Sequence, residues 1–260
     1  MFLSGKLSTP FILIGITVAV AVILKLFVID AAVVPTHSME PAIRAGDFIL
    51  INKLIHGYRS SHNVPLISSI FPDIQIPSLR TIGRGDVLFF ELPAGSRSAG
   101  RHKYYVKRCI GLAGDTVLFE KDRIRINGNE ISRTDSEEID EKDLMKIVVP
   151  RRGDILHLNA LAVADWKSLI MGEGHSIEIA GGAIIIDGEP RTEYRVEKDY
   201  LFMLGDNIRF SYDSRDWGFL PQENVIGKAM MIYWSVDDRP KNSSPLLSRI
   251  RWNRIGTLIR

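Results

Sequence analysis

Residues 11–28 are apolar at every position except Thr17 and Lys25, and beyond them the chain breaks into short apolar runs separated by turn-forming residues. An unbroken run of that length predicts one helix of about 27 Å, at ~1.5 Å per residue, close to the ~30 Å hydrocarbon core of a bilayer. Lys25 falls near the end of the run, where a long side chain reaches the headgroups. A cleaved secretory signal fits less well, because its apolar region usually has ~7–15 residues and a cut after Ala31 would leave bulky Ile29 third from the cut. A buried core helix would need helical partners that the strand-like remainder does not offer. The expected reading is a single transmembrane anchor. The cations leave its orientation open, with Lys6 before the run and Arg44 and Lys53 after it.

The shorter runs at 48–51, 87–90, 104–110 and 116–119 predict strands, as do 155–158, 177–179, 184–186, 201–204 and 225–234. Asn127-Gly128, between the short stretches 123–126 and 129–131, is a hairpin signal. One helix is expected where Leu161, Ala162, Trp166, Leu169 and Ile170 share a face and Gly172 can end it. Residues 56–80 and 132–143 lack periodicity and read as surface loops. The fold class that results is mostly β: an N-terminal single transmembrane helix, then an antiparallel β ectodomain with a central β-rich insertion.

Composition narrows the function classes. With 33 Lys and Arg against 31 Asp and Glu, the formal charge is only +2, and no basic block interleaved with aromatics occurs, which argues against nucleic acid as a partner. The single cysteine, Cys109, excludes an intrachain disulfide and cannot by itself make a thiolate metal cage.

Three segments offer chemistry. Residues 34–43 hold Ser38 between Pro35 and Pro41, whose fixed φ angles stiffen the backbone around a possible nucleophile; a plain exit linker is the alternative. The adjacent His37 would point to the opposite face of an extended segment and so cannot easily reach Ser38. His56, His62, His102 and His175 lie in polar, loop-like sequence, and His157 lies in an expected strand far along the chain. Lys107 instead sits inside an apolar and aromatic strand, where alternation places Tyr105, Lys107 and Cys109 on one face. Burial lowers a lysine from ~10.4 by up to ~3–5 pH units and makes a usable base. A solvated edge lysine that discourages aggregation is the competing reading. The third segment, 205–218, is dense in Gly, Asp, Asn, Ser and Arg after a strand; there Asp213 and Arg215 could pair and Ser211 could face a site, or the whole could be an ordinary polar loop.

Together these segments resemble the bacterial type I signal peptidases, or leader peptidases. Ser-Met-Glu-Pro at 38–41 is similar to the family's nucleophile box, with Gly46-Asp47 and Lys53 similar to the strand after it. Arg84-Gly-Asp-Val87 and Tyr105-Val-Lys-Arg108 through Gly114-Asp115 resemble the lysine box, and Gly205-Asp-Asn207 with Ser211, Asp213-Ser-Arg215 and Trp217-Gly218 resembles the last box. His37, where the family often has a small residue, and Ile208-Arg209, in place of an Arg-Asp pair, are departures. The resemblance implies a serine endopeptidase that removes signal peptides from preproteins, with Ser38 as nucleophile and Lys107 as general base. It further implies Thr36 and Ser38 as oxyanion donors, Ser211 orienting the lysine, Asp206, Asp213 and Arg215 as support, and no metal or organic cofactor. The expected layout is a cytoplasmic N-terminus and anchor at 1–30, a catalytic unit at 31–120 and 200–240, a variable insertion at 121–199 and a tail at 241–260. The protein is expected in the bacterial inner membrane, in contact with lipid, with its catalytic unit outside the cytoplasm. A LexA-like self-cleaving regulator using a Ser-Lys pair and an inactive anchored binding protein are the alternatives.

Overall fold

The computed structural model describes residues 8–54, 58–59, 75–76, 80–92, 103–120, 123–131, 145–159, 163–238 and 246–260. The expectations for His56, His62, His102, Leu161, Ala162 and the loop at 132–143 lie outside these residues. Within the expected loop at 56–80, Tyr58–Arg59 and Gln75–Ile76 form a short antiparallel pair.

Seven strands make one antiparallel sheet. In chain order they are β1 (Ile29–Val33), β2 (Asp47–Asn52), β3 (Val87–Glu91), β4 (Tyr104–Gly111), β5 (Tyr200–Leu204), β6 (Leu220–Pro221) and β7 (Val225–Ser235). Their spatial order is β1-β2-β7-β3-β4-β5-β6. Period-two alternation sets which side chains enter the core: in β2, Asp47, Ile49 and Ile51 are buried while their neighbours are half-buried. β5 instead buries every residue, as a strand covered on both faces must. One face packs Ile49, Ile51 and Val87 against Val34, Met39 and Ile43 from the β1–β2 connection. The other packs Leu88, Phe90 and Cys109 against Leu201, Met203 and Trp217.

Between β4 and β5 the chain builds smaller sheets. A four-stranded one runs Lys146–Val148, Thr116–Phe119, Ile124–Ile126, Asn129–Ile131, and its Asn127-Gly128 turn has φ of 51° and 84°, the left-handed pair that a tight hairpin requires. The helix α2 (Val163–Gly172) buries Leu169 and Ile170 and stacks Trp166 on Phe219. The Glu173 carboxylate accepts from the hydroxyls of Tyr194 and Tyr200 and from the backbone N–H groups of Glu197 and Lys198, which fastens this region to β5.

The N-terminal segment departs from the expected single helix. α1 (Ser8–Ile23) has 16 residues and passes into five residues of π-helix at Leu24–Val28, closed by Ile29 N–H donating to Leu24 O. Among the described residues no helix is long and apolar enough to cross a membrane. The widened turn arises where helix becomes sheet without a linker, since β1 starts at the next residue and Ile29 pairs with Asn52. Lys53 reaches back to this junction, its Nζ 3.1 Å from Lys25 O and 2.9 Å from Asp30. The strand at residues 29–33 is one that the apolar pattern does not predict.

Candidate active site

The β1–β2 connection carries Ser38. It is closed at its base by Val34 N–H to Asp47 O and Gly46 N–H to Val34 O, and is anchored below by Met39 and Ile43, both fully buried. Asn207 holds its near end, donating from its backbone to Ser38 O and from its side chain to His37 O. Ser38 itself is 5% exposed.

Lys107 projects from the middle of β4, a strand paired on both sides, with Leu88 opposite it on β3 and Leu204 opposite Arg108 on β5. It is therefore no edge lysine. It is 3% exposed, and its Nζ lies 2.5 Å from Ser38 Oγ. Burial pushes its pKa down to about 8, helped by Arg215; the carboxylates of Asp213 and Asp206 oppose the fall. At that value a substantial fraction of the amine is neutral near pH 8, in contact with a hydroxyl.

Thr36 is exposed, with its Oγ1 3.3 Å from Ser38 Oγ. His37 turns away, its ring nitrogens facing Glu40 at 2.8 Å and Asp238 at 3.5 Å. The last segment forms a rigid shelf. Asp213 is fully buried, caps the short helix α3 (Ser214–Trp217) and binds Gly205 N–H and the Arg215 guanidinium, which also donates to Ile208 O. Asp206 takes both arms of Arg108 at 2.7 Å. Ser211 Oγ is buried and has no hydrogen-bond partner among the described residues, so it does not bond Lys107 in this structure.

With this geometry in place, the comparison with known families is decisive. The model of the family described as signal peptidase, peptidase S26, matches residues 8–234. The chain belongs to that family. Signal peptidase I of Pseudomonas aeruginosa PAO1 is 28% identical, with 89% of this chain and 74% of that protein covered. Signal peptidase I of Rickettsia bellii OSU 85-389 is 32% identical, with 85% and 71% covered. A signal peptidase I crystal structure from Enterococcus faecalis V583 overlaps 58% of this chain and 98% of its own at 21% identity, with a TM-score of 0.30.

Asn207, Arg108 and Arg254 also touch the site's framework, and sequence alone assigns none of them a role. For Asn207 a signal existed, as a polar amide three residues past the end of an apolar strand. Gly205 is a tight steric constraint beside Ser38, because a Cβ there would lie 2.2 Å from Ser211 Oγ and 2.5 Å from Ser38 O. Gly205→Ala is expected to lower activity by about 10-fold or more, since pushing Ser38 aside by even ~1 Å is costly. Peptide-cleavage rates with a melting curve as folding control check this; an unaltered rate would mean that the shelf does not position Ser38.

Proposed function

We propose that this signal peptidase family member is a membrane-held serine endopeptidase that removes signal peptides from exported preproteins, with Ser38 as nucleophile and Lys107 as general base. Family membership supports the hydrolase activity and the class of substrate. The observation that carries the residue assignment is the 2.5 Å approach of a buried lysine amine, depressed to about 8, to a buried serine hydroxyl. Neutral Lys107 takes the Ser38 proton as the oxygen attacks the scissile carbonyl, and the resulting ammonium gives that proton to the leaving amine. Water, deprotonated by the same lysine, then hydrolyses the ester. Thr36 Oγ and the Ser38 N–H donate to the oxyanion. Ser211, unpartnered next to Gly205, orients the lysine as the amine changes protonation. Asp206, Asp213 and Arg215 hold the framework. A self-cleaving regulator or an inactive binding protein is not favoured, given a family match from the N-terminal helix to β7.

Membrane attachment rests on the helical segment. Its apolar side chains, Phe11, Leu13, Ile16, Val20 and Ile23 among them, are exposed around the whole circumference. Such a helix has no stable place in water. α1 supplies ~24 Å at ~1.5 Å per residue, and the π-helical turn extends it toward the ~30 Å core. In this reading the catalytic unit of 31–120 and 200–240 faces away from the cytoplasm of a bacterial inner membrane and carries 121–199 as an insertion.

Substrate binding is assigned to a groove of about 340 Å³ between Ala32–Val34 on one side and Tyr104–Lys107 on the other, with Ser38 on its floor. β1 is the outermost strand of the sheet, so an extended peptide can add along it. Phe89, Tyr104 and Tyr212 line the walls, and the resemblance to type I signal peptidases implies shallow pockets that take small side chains. Purified protein should therefore cut a preprotein with Ala at the first and third positions before the bond, and Ser38→Ala should not. Equal cleavage of a substrate with Phe at both positions would contradict the groove assignment.

A further inference from the structure

The C-terminal segment, residues 246–260, lies beyond the residues that the family model matches and within the tail expected at 241–260. It is stapled along β7. Ile232 N–H donates to Thr257 O, Gly256 N–H to Ile232 O and Ile259 N–H to Met230 O. These bonds use β7 residues next to register shifts against β2, so the segment takes groups that the regular ladder leaves over.

Two arginines of this segment converge on the back of the Ser38 connection. Asp47, fully buried, accepts from Arg254 Nη2 at 2.5 Å, from Arg251 Nη2 at 3.3 Å and from Ser235 Oγ at 2.6 Å. Burial alone would raise its pKa, yet the hydrogen bonds from Arg254, Ser235 and the Arg44 N–H hold the carboxyl below its ordinary value, so it remains ionised. The same two guanidiniums reach backbone carbonyls of the connection itself: Arg254 Nη2 donates to Ala42 O at 3.0 Å and Arg251 Nη2 to Ala45 O at 2.6 Å. Ile259 joins Met39 and Ile43 in the core below the connection. At the far end of the segment, Arg260 O accepts from Arg108 Nη1, and Arg108 also holds Asp206.

We propose that Arg254 and Arg251 are positioning residues for Ser38, acting through Asp47 and the carbonyls of Ala42 and Ala45, so that residues 246–260 form part of the catalytic framework. The inference rests on Ser38 being the nucleophile. Asn207 grips the connection at His37 and Ser38, and the arginines grip it at Ala42 and Ala45; between these points the serine has little freedom to leave Lys107. A guanidinium suits the task because one planar fork serves a carboxylate and a carbonyl together, which a lysine cannot reproduce.

The test uses the full chain and a short soluble peptide with Ala at the first and third positions before the bond. Arg254→Met and Arg254→Lys are each measured for kcat, KM, melting temperature and the pH dependence of the rate. Positioning predicts that kcat falls by about 10-fold or more in the methionine variant and by a smaller factor in the lysine variant, with KM within about 2-fold. The midpoint of the rise in rate with pH should stay near that of the parent, because Lys107 remains buried. A folded Arg254→Met with parental kcat would overturn the proposal. So would a loss accompanied by a raised KM and a midpoint moved toward that of a solvated lysine, which marks general loosening. If the methionine variant does not fold, the lysine variant decides by the same criteria. Ser38→Ala is run alongside; activity there would sink the nucleophile assignment itself, a failure distinct from either outcome at Arg254.

Discussion

Lys107→Met is expected to give a folded protein, at least as stable as the parent near pH 7, with no measurable peptidase activity. Lys107 is buried among apolar strands, and the fall of its pKa from 10.5 to about 8 means that the fold disfavours its ammonium form. That difference corresponds to a cost on the order of 3 kcal/mol at pH values below both pKa values. The sign follows from proton binding. Between about 8 and 10.5 the unfolded chain binds more protons at this site than the folded one, so stability rises with pH across that window. Methionine keeps much of the volume and removes the ionisation, so its advantage should be present at pH 7 and vanish by about pH 11. Activity should move the other way. The parental rate should rise with pH through about 8 as the amine becomes neutral. Lys107→Arg should be inactive because guanidinium does not deprotonate in proteins, whereas His37→Ala should keep most activity. Initial rates against pH, with melting curves at pH 7 and 10, test both halves. Substantial activity in a folded Lys107→Arg would remove the general-base assignment.

Thr36→Val should cost roughly 10²- to 10³-fold in kcat with KM nearly unchanged. Valine keeps the β-branched shape, so the loss isolates the hydroxyl, whose oxygen stands 3.3 Å from Ser38 Oγ on the open side of the connection. A donor there meets negative charge only after Ser38 has attacked, and a group that acts on developing charge is felt in turnover more than in binding. Thr36→Ser should remain active. A valine variant that turns over at the parental rate would take Thr36 out of the oxyanion site.

The candidate residues Ser38 and Lys107 stand out in the sequence because their surroundings contradict their type. A lysine within a strand of aromatic and aliphatic residues and a serine between two prolines are local anomalies, visible in ten residues of sequence. Strands such as Thr116–Phe119 and β7 were equally plain, since apolar runs bounded by turn residues need little context. β1 was hidden because residues 29–33 follow directly on the apolar helix and mix Ile and Val with Asp and Ala, so that nothing local separates a strand from an exit linker. Its identity depends on β2, which lies beyond the Ser38 connection. The role of 246–260 was hidden for the same reason. Arg251 and Arg254 look like surface cations until Asp47, some 200 residues earlier, is placed beside them.

Strand order also imposes a schedule on synthesis. β2 pairs with β1 and β7, while β3 pairs with β7 and β4, so among the described strands β7 alone joins the piece of sheet next to Ser38 to the piece that bears Lys107. Roughly 120 residues separate Lys107 from the start of β7, and translation at ~5–20 residues per second takes ~6–24 s to cross them. Throughout that interval Ser38 and Lys107 lie on pieces of sheet that no described strand yet joins, and the contacts of Asn207 with His37 and Ser38 are a link between them that the chain contains before β7 emerges. The sheet becomes continuous only when Val225–Ser235 pairs with both β2 and β3, so a chain that stops before β7 is expected to lack a continuous sheet between Ser38 and Lys107.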